Sequence, residues 1–198
     1  MTTAPHFFHL TRSSLRKRLL SYFFTNPEGR LYLREIARII QADPANLSRE
    51  LRCLEEEGLF TSAKRGNQKH FFLNQKYPLY SELKSMVFKT TGAQGAIEDI
   101  LSKVPGIRRA FIYGSFAKNK ERAGSDIDLC LVIRKERFRE GALLSELRLL
   151  EKKLGREIAY VYFTEDELEN KKKSKDSFIL GLLKGKRIEL CYEKDRSE

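Results

Sequence analysis

The stretch Tyr113–Ile133, YGSFAKNKERAGSDIDLCLVI, makes two demands that few folds satisfy together. Its end, IDLCLVI, is apolar enough for a buried strand, yet Asp126 and Asp128 stand at the strand's mouth. Carboxylates are costly to bury unless something compensates their charge. Residues i and i+2 of a strand share a face, so the two aspartates aim together while Ile127 and Leu129 face the other way. Two carboxylates placed in this way repel each other unless a cation lies between them. Mg²⁺ suits such a pair, because it takes one or two carboxylates and fills its shell with waters and substrate phosphates. Upstream, Gly114 permits close backbone approach at a strand end, and Ser115 supplies a hydroxyl and a backbone N–H for phosphate oxygens. The stretch therefore predicts Mg²⁺ held by Asp126 and Asp128, with a triphosphate between the ion and Gly114–Ser115.

The chain around it alternates helix and strand. Apolar spacing predicts a helix over 97–103, strands over 109–113 and 129–133, and a long amphipathic helix over 138–154 with Leu143, Leu147 and Leu150 on one side. A strand over 158–163, helix over 165–183 and a last strand in KRIELCY complete a small α/β domain with helices against one sheet. The charge run NKKKSKD, 170–176, reads as a solvated helix end. Glu165 and Asp166 read as acids that favour a helix N-terminus.

The first half has a different rhythm. Leu15, Leu19, Leu20 and Phe23 keep helical spacing up to TNPEG, and LYLREIARII repeats the pattern with Leu33, Ile36, Ala37 and Ile40 on one face. In ADPANLSRELRCLEEEGLF, Asp43 is an N-cap, Pro44 the first helical residue and Gly58 the stop. Leu47, Leu51 and Leu54 form the buried stripe of this helix. Ala45, Ser48, Arg49 and Arg52 lie opposite, with Asn46 and Cys53 at the edge. LFTSAKRGNQKHFFLN then reads as a β-hairpin around a basic turn. Leu79, Leu83, Met86 and Val87 space as one more helix, and TTGAQG reads as its end and a flexible joint. The domains expected are 1–77, a linker helix and joint over 78–94, and 95–198.

Charge sharpens the contrast between the halves. The net charge of the 198 residues is +11, and residues 1–90 carry 15 Lys and Arg against 8 Asp and Glu, whereas residues 91–198 carry 23 against 19. A basic excess concentrated in the first half points to a polyanion there. A helix with a small, polar and basic outer face fits the major groove of double-stranded DNA, where Arg and Asn read base edges. Asn46, Ser48, Arg49 and Arg52 are the candidate readers. Lys64, Arg65 and Lys69 at the hairpin are candidates for phosphates or the minor groove. The three cysteines, Cys53, Cys130 and Cys191, are scattered without metal-ligand spacing and fit a reducing compartment. His6 and His9 read as exposed leader. No apolar run reaches membrane-spanning length, and MTTAPHFFHLTRSSLRKRLL has no signal-peptide pattern. A cytoplasmic protein without a membrane partner is expected.

Two resemblances follow from these residues. YLREIARII, LSRELRCLEEEGLF and KHFFLN resemble the winged helix-turn-helix of ArsR- and MarR-like regulators over about residues 13–77. GSFAKNKERAGSDIDL resembles the signature of minimal nucleotidyltransferases of the polymerase-beta superfamily, matched at Gly114, Ser115, Ala117, Arg122, Ser125, Asp126 and Asp128. Asn119 stands where that family often has glycine, a mild change because Asn tolerates left-handed backbone geometry. Together they imply an α+β protein: a winged helix followed by a small nucleotidyltransferase domain with a mixed sheet. The second resemblance implies that the triphosphate is a nucleoside triphosphate.

The second resemblance also implies a third carboxylate on a later strand, helping to hold a second metal and position the attacking hydroxyl. Alignment of the apolar residues in GREIAYVYF places that acid near Ala159, which cannot bind metal. Glu157, two residues earlier on the same face, is displaced by about 6–7 Å along the strand. Two-metal catalysis needs ions about 3.5–4 Å apart, so Glu157 is a doubtful catalytic replacement. The leading expectation is a DNA-binding transcriptional regulator, a homodimer on paired half-sites, that binds Mg²⁺-nucleotide with weak or lost transfer. One alternative is an active enzyme that transfers a nucleoside monophosphate to a small molecule or to a protein, such as the HEPN-type toxin modified by antitoxin-like family members. Another is an interaction module with both sites vestigial.

Overall fold

The structure is a computed structural model that describes residues 13–118, 120 and 124–190. His6, His9, Asn119, Arg122 and Cys191 lie outside the described residues. The described residues through Ala96, together with Lys152–Gly155, form one compact unit; Ile97–Glu151 and the residues from Arg156 onward form the other.

The first unit opens with α1 (Ser14–Thr25), capped by the Ser13 side chain. A two-residue strand, β1 (Leu31–Tyr32), runs directly into α2 (Leu33–Ile39). α3 (Pro44–Glu56) begins as the sequence predicts: Asp43 accepts from the Asn46 N–H and Pro44 occupies the first turn. Leu47, Leu51 and Leu54 are buried with Leu19, Phe23 and Ile36, and Phe23 meets Phe60 edge to face at 5.0 Å. Gly58, at φ +80°, turns the chain out of the helix into β2 (Phe60–Arg65). β3 (Gln68–Leu73) returns antiparallel, paired as Lys64↔Lys69 and Arg65↔Gln68. Gly66 takes φ +59° at the first of two turn positions, as a type II′ hairpin turn requires. β1 completes a three-stranded sheet in the order β1-β3-β2. Three helices followed by this wing are a winged helix-turn-helix.

α4 (Tyr80–Thr90) packs on α1: Phe24 meets Tyr80 at 5.5 Å, and Ser21 donates to the Thr91 carbonyl at 2.6 Å. TTGAQG, expected as a flexible joint, holds the end of α4 and the start of the next helix. α5 (Ala93–Leu101) starts at once after Gly92, and Gly95 sits so close to the end of α4 that an added Cβ would fall 1.9 Å from the Thr90 carbonyl oxygen. These glycines permit contact.

The second unit is built on β4 (Ile107–Tyr113), α6 (Gly114–Ala117), β5 (Ile127–Ile133), α7 (Glu140–Leu154), β6 (Ile158–Thr164), α8 (Glu165–Lys173), α9 (Ser177–Lys184) and β7 (Ile188–Glu189). The sheet order is β6-β5-β4-β7, with β5 and β6 parallel and the other pairs antiparallel. α7 lies toward one face, where Glu140 accepts from the hydroxyls of Tyr160 at 3.0 Å and Tyr162 at 3.2 Å. On the other face Phe111 and Cys130 are buried against Ile179 and Leu182 of α9. The single helix expected over 165–183 is broken into α8 and α9. Lys175 turns to φ +57° and Asp176 caps the new helix by accepting from the Ile179 N–H at 3.0 Å. The charge run thus ends α8, and the Thr164–Glu167 capping box starts it.

A pair of glycine substitutions tests this packing. Gly181 lies in α9 with open space around its Cα, so Gly181→Ala should raise the melting temperature, following a helix preference of about 0.8–1 kcal/mol for Ala over Gly. Gly95→Ala is also in a helix but should lower it, because the methyl group meets backbone.

Candidate functional site

β4 ends at Tyr113, and Gly114, at φ +71°, swings the chain into α6. Few side chains tolerate that conformation, and a second constraint is stronger. A Cβ on Gly114 would lie 1.9 Å from Asp128 Oδ2. The glycine is thus the space into which the carboxylate fits. Phe116 and Ala117 are buried and anchor the short helix. Ser115 is half-buried at the turn.

Across the strand pair, Asp128 is the register partner of Tyr113. Asp126, just before β5, is exposed, and Asp128 is half-buried. Burial first, and the Asp126 charge second, push the Asp128 carboxyl above its ordinary range. The same burial, with the Asp128 charge, raises the Tyr113 hydroxyl. On β6, Ala159 is the parallel partner of Asp128, and the Ile127 N–H donates to the Glu157 carbonyl at 2.9 Å. The register therefore sets Ala159 beside Asp128, with Glu157 one step before β6, level with Asp126. Glu157 and Ala159 are both exposed.

Sequence reasoning missed Arg156. It is only 5% exposed, donates from Nη1 to the Ser125 carbonyl at 2.9 Å, and holds its guanidinium 5.7 Å from the Phe116 ring. It therefore links the residue before Asp126 to the helix after Gly114. Nothing in the periodicity marks it, because an arginine next to a strand reads as solvated.

Among the described residues, no group of three His, Cys, Asp or Glu side chains could hold a metal ion. Two carboxylates against a glycine cradle fit one hard cation that completes its shell with water and phosphate. A second ion about 3.5–4 Å away would find no third carboxylate grouped with this pair among the described residues.

In the winged unit, Asn46, Ser48, Arg49 and Arg52 are exposed on α3. Arg52 lies 3.9 Å from Glu56. Lys64 and Arg65 are exposed at the hairpin end. Lys69 is engaged: its Nζ lies 2.7 Å from Glu55 Oε2, and Glu55 also accepts from the Ser62 hydroxyl. The bonds from Lys69 and then Ser62 hold the Glu55 carboxyl below its ordinary range.

The geometry so far defines a class: a winged helix-turn-helix joined to a small mixed-sheet domain with Gly-Ser and Asp-x-Asp at one edge. Residues 96–184 match the family model for polymerase beta, nucleotidyltransferase. Among solved structures, MepR, a transcription regulator of the Staphylococcus aureus multidrug efflux pump MepA, is similar at 19% identity. The likeness covers 42% of this chain and 64% of MepR, with a TM-score of 0.36. The antimony-specific transcriptional repressor AntR is similar at 22% identity over 40% of this chain and 68% of its own, with a TM-score of 0.33. A MepR–DNA complex from S. aureus matches at 20% identity over 40% of this chain and 66% of that one, with a TM-score of 0.34. No curated protein matches the chain. No helix of the described residues is long and apolar enough to cross a membrane.

The raised Asp128 carboxyl has a consequence for stability. A carboxyl whose folded-state pKa lies above its unfolded value destabilises the fold while ionised, and the cost disappears as pH falls through the folded pKa. Without divalent cation, Asp128→Asn should therefore melt above the parent at neutral pH. The two curves should converge toward about pH 4. Thermal melts across pH, in the presence of a chelator, check this.

Proposed function

We propose that the chain is a DNA-binding transcriptional regulator whose nucleotidyltransferase domain binds Mg²⁺-nucleoside triphosphate and transfers poorly or not at all. The observation that carries the nucleotide half is the seating of Asp128 against Gly114, with Asp126 one strand repeat away. Asp126 and Asp128 would hold Mg²⁺, which when bound neutralises phosphate charge. Ser115 would bind the phosphates through its hydroxyl and backbone N–H, and Arg156 would keep the two aspartates aimed together. Ala159 beside Asp128 is the reason for weak transfer: a second ion, or the acceptor hydroxyl, lacks a carboxylate there. We assign 1–77 to the DNA-binding domain, 78–94 to the connection and 95–198 to the nucleotidyltransferase domain. The protein is assigned to the cytoplasm.

Labelled ATP tests the catalytic half. The parent should transfer little label, and Ala159→Asp should raise transfer, with each tenfold in rate worth about 1.4 kcal/mol of barrier. Glu157→Gln should change little. Brisk transfer by the parent that Glu157→Gln abolishes would make the chain an active nucleotidyltransferase, with a HEPN-type protein or a small molecule as its acceptor.

DNA binding is assigned to α3 and the wing, with two copies meeting paired half-sites as a homodimer. Asn46, Ser48, Arg49 and Arg52 would face base edges, and Lys64 and Arg65 phosphates. Lys69 contributes less, because Glu55 already engages it. Arg49→Ala or Arg52→Ala should cost about 1–3 kcal/mol on a selected duplex and relax its sequence preference. Lys64→Ala should weaken every sequence alike and flatten the salt dependence. Binding isotherms at several salt concentrations separate the two, and equal affinity of the parent and an Arg49→Ala/Arg52→Ala double variant would remove α3 from the interface.

A further inference from the structure

α9 is fastened to the sheet by Ile179, fully buried, and Leu182, 5% exposed, yet Phe178 between its cap and that anchor is 47% exposed. Its position is fixed. Asp176 accepts from the Ile179 N–H and pins the first turn of the helix. The Phe178 ring stands edge to face against Tyr113, with centroids 6.1 Å apart and planes at 79°. Tyr113 is the register partner of Asp128 and packs against the buried cluster of Phe111, Cys130, Ile179 and Leu182. Asp128, Tyr113 and Phe178 therefore follow one another on the same side of the sheet, a carboxylate leading to two aromatic rings. With Tyr113 half-buried and Phe178 47% exposed, the two rings keep aromatic surface exposed on the side of the sheet that carries Asp128. Heterocyclic bases stack on such faces, and every base has one to offer.

We propose that Phe178, backed by Tyr113, is the platform on which the nucleobase of a bound nucleoside triphosphate stacks. The inference rests on the Mg²⁺-nucleotide reading above and extends it from the phosphate end to the base end. Stacking alone favours purines over pyrimidines by ring area and is tolerant of the groups on the base edge.

The test compares two probes on the full chain by calorimetry with Mg²⁺: ATP, and inorganic tripolyphosphate, which has phosphates but no base. The parent should bind ATP more tightly than tripolyphosphate. Phe178→Ala should weaken ATP by about tenfold and leave tripolyphosphate unchanged, Phe178→Trp should restore ATP binding, and Phe178→Leu should not. The ring is half exposed, so melting temperatures should stay at the parent value. If Phe178→Ala leaves both probes unchanged, or weakens both equally, the platform is overturned while the metal site stands. A parent that binds tripolyphosphate and ATP equally well overturns the platform in the same way. A parent that binds neither probe overturns the nucleotide reading itself, and the platform with it.

Discussion

Asp128 presses against the backbone of Gly114 so closely that no side chain fits between them, and the arrangement of the second unit's edge follows from that contact. The strand pair β4–β5 sets Tyr113 opposite Asp128, so the residue after Tyr113 must turn away or collide with the carboxylate. Gly114 turns at a positive φ, and Phe116 and Ala117 then bury themselves and stop the turn from unwinding. Arg156 closes the other side by binding the Ser125 carbonyl and lying over the Phe116 ring. A half-buried carboxylate, raised by burial and by a like-charged neighbour, is an unfavourable feature that the surrounding backbone maintains. A bound cation would remove the cost, which is the physical reason for reading the edge as a site.

Much of this was legible in the sequence, because the constraints involved are local. Two carboxylates at i and i+2 share a face on any strand, and Asp43-Pro44 starts a helix wherever apolar periodicity follows. The wing was readable from its apolar runs and Gly66. Long-range or unperiodic features were not. Gly92 and Gly95 look like a joint, yet they are where α5 meets the end of α4. The break at Lys175 is invisible because leucine and isoleucine continue the helical spacing through it, and the Asp176 cap resembles one more charge in a basic run. Arg156 and Phe178 gave no signal, since the burial of one and the exposure of the other depend on the tertiary structure. β1 was missed because two residues carry no period.

The alanine at 159 owes its meaning to the register. Parallel pairing of β5 with β6 brings Asp128 and Ala159 to neighbouring positions, about 4.8 Å apart across the sheet. A carboxylate there would share a cation with Asp128; the methyl group cannot. Glu157 is level with Asp126 and exposed. The domain therefore combines the parts that suit phosphate and one cation with a gap where a second cation would be held. That combination is the basis for proposing that the domain binds a nucleotide rather than transferring it.

Mn²⁺ substitutes for Mg²⁺ and scatters X-rays anomalously, so crystals grown with Mn²⁺ and a non-hydrolysable nucleoside triphosphate test the central claim most directly. A single-cation site predicts one anomalous peak between Asp126 and Asp128, at roughly 2.0–2.3 Å from carboxylate oxygens. The triphosphate should lie against Gly114 and Ser115, and Asp126→Asn/Asp128→Asn crystals should lack the peak. Two ions about 3.5–4 Å apart would contradict the single cation. Density for the nucleotide away from these residues would contradict the site itself.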